Sequence, residues 1–321
     1  MTMDATLIAG LFGQEVHAPQ VRALFDQLNT LRRPVTDGTE DSAFYDWVLV
    51  RRHGLELGFV DSNYHAGAAK STWGHGEPLL VQAYFYSAHD DIAGFEGTLP
   101  YAVTFTDSRP QVRKKLQKFD AKRRSYLNDT WDIDALTLNV MYSETEDKID
   151  RIAWYLPARP LQLPAASDTP SLDSVVASLG EPVDSPVFRT VWSRYIGAAQ
   201  WKSAVDEGII DLAEKVGITI GISVSQPTSV CRSITFHSNR DSDAVEWPGT
   251  LPMQLLFGDS PEILFLKIKD SPAQHADSSL TGYAVWHFPD YTLHVLYSNV
   301  LNRILRVKLI SPGCWKCVDE S

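Results

Sequence analysis

Cysteine is scarce in this chain. The three that occur in 321 residues, Cys231, Cys314 and Cys317, are too few and too unevenly placed for a disulfide scaffold. Long apolar runs are lacking too: no stretch approaches the ~20 apolar residues that cross a membrane. The opening residues, MTMDATLIAGLFGQEV, carry Asp4, no basic n-region and only a short apolar run. A soluble, cytoplasmic protein without a signal peptide is expected. Basic residues are in deficit, with 29 Lys and Arg against 40 Asp and Glu and a net charge of −11. An acidic surface repels phosphate backbones and steers the protein toward a basic partner; plain solubility is the other reason for such a charge. Catalytic signatures are missing as well: there is no GxSxG, no Walker A and no GxGxxG.

What is present is an internal repeat. GTLPYAVTFTDSRPQVRKKL starts at Gly97, and GTLPMQLLFGDSPEILFLKI starts at Gly249, 152 residues later. Each copy is followed by a Trp (Trp131, Trp286), a segment ending in Tyr-Ser (Tyr142-Ser143, Tyr297-Ser298) and another closing on Pro (Pro157, Pro312), all 155 residues apart. Upstream, VGITIGISVS lies on HGLELGFVDS at an offset of 163, and Phe236 lies on Phe85 at 151. Constant offsets over this span mean that a whole folding unit is duplicated.

The length allows about two domains, and 44% apolar residues can fill a sizeable core in each. Val21, Leu24, Phe25 and Leu28 sit at helical spacing. Tyr45, Trp47, Leu49, then Leu55, Leu57, Phe59, then Val81, Ala83, Phe85 alternate as strands do. A short strand is expected over Tyr101–Phe105, then a helix capped by Asp107 or Ser108, basic through Arg113, Lys114, Lys115 and Lys118 on one side. Its second copy is apolar, with Ile263, Leu264, Phe265 and Leu266. Pro160, Pro164 and Pro170 mark a linker.

The organisation read from this is α+β: two tandem domains, 1–157 and 171–313, joined by a linker at 158–170 and followed by a tail at 314–321. Each domain consists of two helix-plus-antiparallel-sheet modules, with boundaries near 92 and 243. The four helices begin near Pro19, Arg109, Leu172 and Pro261. The halves differ in two places: the first has a longer loop at 61–78, and the second has a helix-like insert, GAAQWKSAVDEGIIDLAEKVG, at 197–217.

A short helix opened by Asp or Ser, then a Trp, then strands ending in an aromatic, resembles the β-lactamase-inhibitor-protein-like module shared with small outer-membrane-assembly lipoproteins. The pattern is carried by Ser171 to Pro182 with Trp192, by Ser108 to Leu116 with Trp131, and by Ser260 to Ile268 with Trp286. The Gly and Pro helix stop is present only at Gly180 and Pro182. The resemblance implies a protein-binding scaffold without an active site, as in bacterial toxin-immunity proteins.

Several residues could nevertheless carry chemistry. Cys314-Trp315-Lys316-Cys317 has the spacing of a zinc or redox pair. A zinc site needs two more ligands and the histidines show no ligand spacing, so no metal and no cofactor is expected. The loop holding Tyr64, His65, Lys70, Trp73 and His75 reads either as a flexible exposed loop or as a contact loop held by a sheet. Asp90-Asp91 and Asp241-Ser242-Asp243 are acidic turns at matching positions, readable as solvated turns, a cation site or partner contacts. Trp131, Trp192 and Trp286 recur as core rings or as a ligand stack. The insert stripe of Trp201, Val205, Ile209, Ile210 and Leu212 either docks on its own domain or faces a partner. The expected function is a non-enzymatic immunity protein that occludes a basic toxin. An enzyme or small-ligand binder with an interdomain site, and an assembly adaptor with a broad apolar patch, are the rival classes.

Overall fold

The computed structural model describes residues 3–39, 44–124, 128–143, 148–162, 169–223, 229–278 and 280–315. Pro164 of the linker and Cys317 of the Cys-x-x-Cys motif lie outside them, as does the side chain of Val205. The chain divides into two compact units, Met1–Arg159 and Pro160–Ser321. The architecture is α+β, with one seven-stranded antiparallel sheet in each unit.

The first unit runs α1 (Ala5–Ala9), α2 (Pro19–Leu28), β1 (Tyr45–Val50), β2 (Leu55–Asp61), α3 (Ser62–His65), β3 (Pro78–Tyr86), α4 (Arg109–Lys115), β4 (Ala121–Arg124), β5 (Asn128–Ile133), β6 (Leu136–Tyr142) and β7 (Ile149–Tyr155). Its strand order is β1-β2-β3-β7-β6-β5-β4. Pro19 starts α2, where a missing N–H costs nothing, and Val21, Leu24, Phe25 and Leu28 bury its apolar stripe in the core. Trp131 and Leu138 are paired across β5 and β6, and both are fully buried.

The second unit runs α5 (Leu172–Ala177), α6 (Pro186–Trp192), α7 (Ala198–Glu207), β8 (Ile209–Leu212), α8 (Ala213–Val216), β9 (Ile218–Ser223), β10 (Val230–His237), α9 (Pro261–Lys267), β11 (Gln274–Asp277), β12 (Thr281–His287), β13 (Thr292–Ser298) and β14 (Arg303–Ile310). Read from β8, its order is β8-β9-β10-β14-β13-β12-β11, the topology of the first sheet. Even the irregularities recur. The β6–β7 register shifts at Met141/Tyr142 and the β13–β14 register at Leu296/Tyr297, 155 residues on. Gly58 and Gly221, 163 apart, flank matching shifts in β2–β3 and β9–β10. Bulges are designed features of a sheet, so shared positions are strong marks of duplication.

The segment starting at Gly97 and Gly249 differs from expectation in one respect. Tyr101–Phe105 is not a strand; Pro100–Ala102 is a tight helical turn in which Tyr101 and Ala102 take φ of +56° and +57°. Met253 and Gln254 take +54° each. Consecutive left-handed residues are costly and persist only when neighbours hold them. The same clamp holds both. Lys115 donates to Ala102 O and to Asp107, which accepts from the Thr104 amide. Lys267 donates to Gln254 O and to Asp259, which accepts from the Leu256 amide.

Three further corrections concern the helices and the insert. Leu172 corresponds to Ala5 rather than to Pro19, because Gly13 and Gly180 donate to equivalent carbonyls, Leu80 O and Cys231 O. Pro186 therefore matches Pro19, and Trp192 lies at the end of α6, in the place of Phe25, rather than on a sheet with Trp131 and Trp286. The stretch 197–217 is not an insertion. Its helix α7 replaces the loop after α2, and Ile209–Leu212 is an edge strand paired to β9 as β1 is to β2.

Among the described residues, one pairing of the first unit has no counterpart in the second. Ala5 N donates to Thr98 O and Thr98 N donates to Met3 O, so residues 3–5 lie parallel to the repeat segment where the chain enters α1.

Candidate functional site

The loop between β2 and β3 is ordered by its own residues. Asp61, fully buried, caps α3 by accepting from the Tyr64 amide at 2.7 Å and ties the far end by accepting from the Gly76 amide at 2.6 Å. Phe44, Tyr45, Tyr64 and Trp73 form an aromatic cluster with centroids 4.8–5.7 Å apart. Tyr64 and Trp73, expected as contact residues, are buried there, and the Trp73 indole donates to Ala68 O. Lys70 lies over the Trp73 ring. Lys70 and His75 are exposed, and His65 is half-buried. The loop is thus a stapled platform that presents Lys70 and His75.

The two acidic turns differ. Asp90 is exposed at φ +47°, and exposed Asp91 pairs with Arg51 at 2.7 Å. Asp241 turns inward: it lies 2.9 Å from His237 Nδ1 and accepts from Arg306. Burial alone would raise its carboxyl, but hydrogen bonds from His237 and Arg306 outweigh that and hold it below the usual carboxylate range. Asp243 is half-buried at φ +59°. His237 Nε2 in turn lies 2.9 Å from Thr219 Oγ1. Threonine, histidine and carboxylate in hydrogen-bonded series resemble a nucleophile–base–orienter row. Here Arg306 also engages the carboxylate, and the row closes the turn between β10 and residue 244. In the first unit the same positions hold Glu56, Tyr86 and Arg151, with Tyr86 donating to Glu56 at 2.6 Å. Both sets tie β2 or β9 to the strand beside it.

Trp201 is half-buried on α7, its ring 6.4 Å from that of Phe188 and packed on the core of its own unit. Cys231 is fully buried, and burial pushes its thiol up to about 12, which removes it as a nucleophile at neutral pH. No group of three His, Cys, Asp or Glu among the described residues is placed to hold a metal. No helix among them is long and apolar enough to cross a membrane.

A feature missed in the sequence reading lies on the second copy of the repeated segment. Met253, Leu256, Ile263 and Leu266 are 38%, 64%, 40% and 68% exposed. Ile263 and Leu266 are three apart on α9 and so share a side of it. The Lys267–Gln254 bond brings the end of that helix beside Met253. The first unit has Tyr101, Thr104, Gln111 and Lys114 at these four positions, the last three polar and exposed. The signal was in the alignment of the two copies: apolar residues replacing polar ones at sites that a helix wheel places outside the core.

Comparison with known proteins adds no family. No family model matches the chain, and no curated protein matches it. Among solved structures, an extracellular protein containing a SCP domain from Bacillus anthracis aligns over 97% of this chain and 96% of its own, at 10% identity and a TM-score of 0.29. A likeness of that size carries no functional argument.

Proposed function

We propose that this chain is a non-enzymatic, cytoplasmic protein-binding protein. The observation that supports it is the set of exposed apolar side chains at 253–266, placed on an acidic chain where three of the four counterparts in the other copy are polar. Apolar residues gathered on one surface of a soluble protein mark interaction sites. The net charge of −11 selects for a basic partner and speeds the encounter. In the finer reading the partner is a bacterial competition toxin and the mechanism is occlusion of its active site. The resemblance to β-lactamase-inhibitor-protein-like modules supports that step. Co-purification with the product of the adjacent gene tests it: a stable complex, with protection of cells expressing that product, is the expected result. A chain that stays alone and protects nothing removes the proposal.

The same apolar surface supports a second reading, an assembly adaptor. An adaptor would co-purify in a larger particle and leave its partner's activity intact, whereas an immunity protein would silence it in a small complex.

A further inference from the structure

The two units differ at one more place, where residues 3–5 fill a slot in the first and, among the described residues, nothing fills it in the second. In the first unit, residues 3–5 exchange two backbone hydrogen bonds with Thr98, and Ala5 behind them is fully buried. The cavity left beside them is about 300 Å³, with Met3 on its wall. Thr250 is the counterpart of Thr98, 152 residues on. Among the described residues nothing bonds its N–H or C=O, and residues 170–172, which lead into α5 as residues 3–5 lead into α1, leave it unpaired. The groove along it is larger, about 520 Å³.

We propose that this groove binds an extended peptide segment of a basic protein partner, seated on Thr250 as residues 3–5 are seated on Thr98. This rests on the protein-binding reading and names its site. Three observations define the occupant. A free donor and acceptor on one residue of an irregular segment suit strand addition, in which the peptide backbone supplies the pairing. The lining mixes polar residues, Thr250 and Gln254 among them, with Trp247, Leu251, Leu255 and Phe257, which are themselves buried; Leu256, 64% exposed at the rim, is the apolar residue that an aliphatic side chain of the peptide would meet. Glu246 is the one ionisable lining residue, and it favours a Lys or Arg beside that side chain.

The test uses the full chain, 15N-labelled, and a capped Lys-Val-Thr-Val-Lys peptide as probe. Amide shifts at Thr250 and Leu251 are expected, with Thr98 unmoved and exchange of the Thr250 amide slowed at least tenfold. Methylating the amide of the fourth peptide residue should abolish binding, because that N–H would meet Thr250 O. Gly258→Trp should weaken it at least tenfold: Gly258 lines the groove, and a Cβ there meets nothing within 4 Å, so the ring crowds the groove's mouth without displacing the core. Leu256→Lys, at an exposed position, should weaken it at least tenfold. No shift at Thr250 with millimolar probe overturns the assignment, as does binding indifferent to N-methylation. A concentration-dependent dimer that protects Thr250 without peptide gives the groove to a second copy and overturns it too. Partner capture separates the two proposals. Equal capture by wild type and Gly258→Trp sinks the groove and leaves the binding reading standing. If no partner is captured, that reading falls, and the peptide result alone decides the groove.

Discussion

At one position the two units solve the same packing problem with opposite chemistry. In the first, Arg113 of α4 makes two hydrogen bonds, at 2.7 and 2.8 Å, to Asp129, which is fully buried on β5. Tyr142 donates to the same carboxylate at 3.1 Å, and burial, followed by that charge, pushes its phenol well up. In the second unit the equivalents are Phe265, Ala284 and Tyr297. Phe265 packs against Trp286, Tyr297 and His275 with centroids 5.1–6.3 Å apart, and Tyr297 finds His275 at 2.9 Å for its hydroxyl. A buried ion pair and an apolar plug hold the same helix on the same sheet. The ion pair is therefore not what specifies the fold. It is costly to break but replaceable as a pair.

That contrast can be broken directly. Asp129→Ala should destabilise the first unit by about 2–4 kcal/mol, because the buried Tyr142 phenol and the partly exposed Arg113 guanidinium lose their acceptor. Arg113→Phe with Asp129→Ala, which installs the second unit's Phe and Ala but no counterpart of His275 for the Tyr142 hydroxyl, should recover part of the loss in denaturant unfolding. A double variant no better than the single would mean that the two sites are not equivalent.

The next effect is one the units share. Gly54 and Gly217 have φ of +56° and +74°, and a Cβ would come within 2.2 Å of Ala93 O in one case and 2.5 Å of Val245 O in the other. Alanine at either position should cost about 2–4 kcal/mol, beyond the ~1 kcal/mol of the backbone conformation alone, because the clash is with main chain. Amide exchange resolved by unit would show each loss on its own side. A large loss at only one would sharpen the comparison by locating where the copies diverged.

The smallest effect depends on pH. His294 on β13 occupies the position of Asn139 on β6. Burial, then Lys308 and Arg306, depress its pKa to about 4. The folded state therefore keeps it neutral, while the unfolded chain takes up a proton below about 6.5. Stability is lost as pH falls from 6.5 toward 4, by about 1–3 kcal/mol, and only in the second unit. His294→Asn should flatten that slope in unfolding measured at pH 7 and pH 4.5. An unchanged slope would place the titration elsewhere.

Much of the architecture was legible because duplication writes the same constraint twice. The offsets of 151, 152, 155 and 163 all reappear as strand register, bulges and turns, and the α+β class with two sheets follows from them. The misreadings share a cause. Tyr101–Phe105 alternates like a strand, but Pro100 and a lysine clamp impose a turn that periodicity does not encode. Leu172 and Pro186 compete as the counterpart of Pro19 because α5 and α6 both open on a serine cap. The candidate site was less legible still. Tyr64 and Trp73 have the composition of a contact loop, yet Asp61 folds them inward, a long-range effect that no local pattern shows. The exposed residues at 253–266 could have been found by asking which copy is apolar on the outside.

The decisive measurement gives the second unit the outer surface of the first. Met253→Tyr, Leu256→Thr, Ile263→Gln and Leu266→Lys, combined in the full chain, replace each exposed apolar residue with its counterpart. Unfolding free energy within about 1 kcal/mol of wild type is expected, since surface changes away from special backbone sites are small, together with loss of partner capture. A folded quadruple variant that still captures its partner at wild-type strength would contradict the claim that one copy carries the scaffold and the other the binding surface.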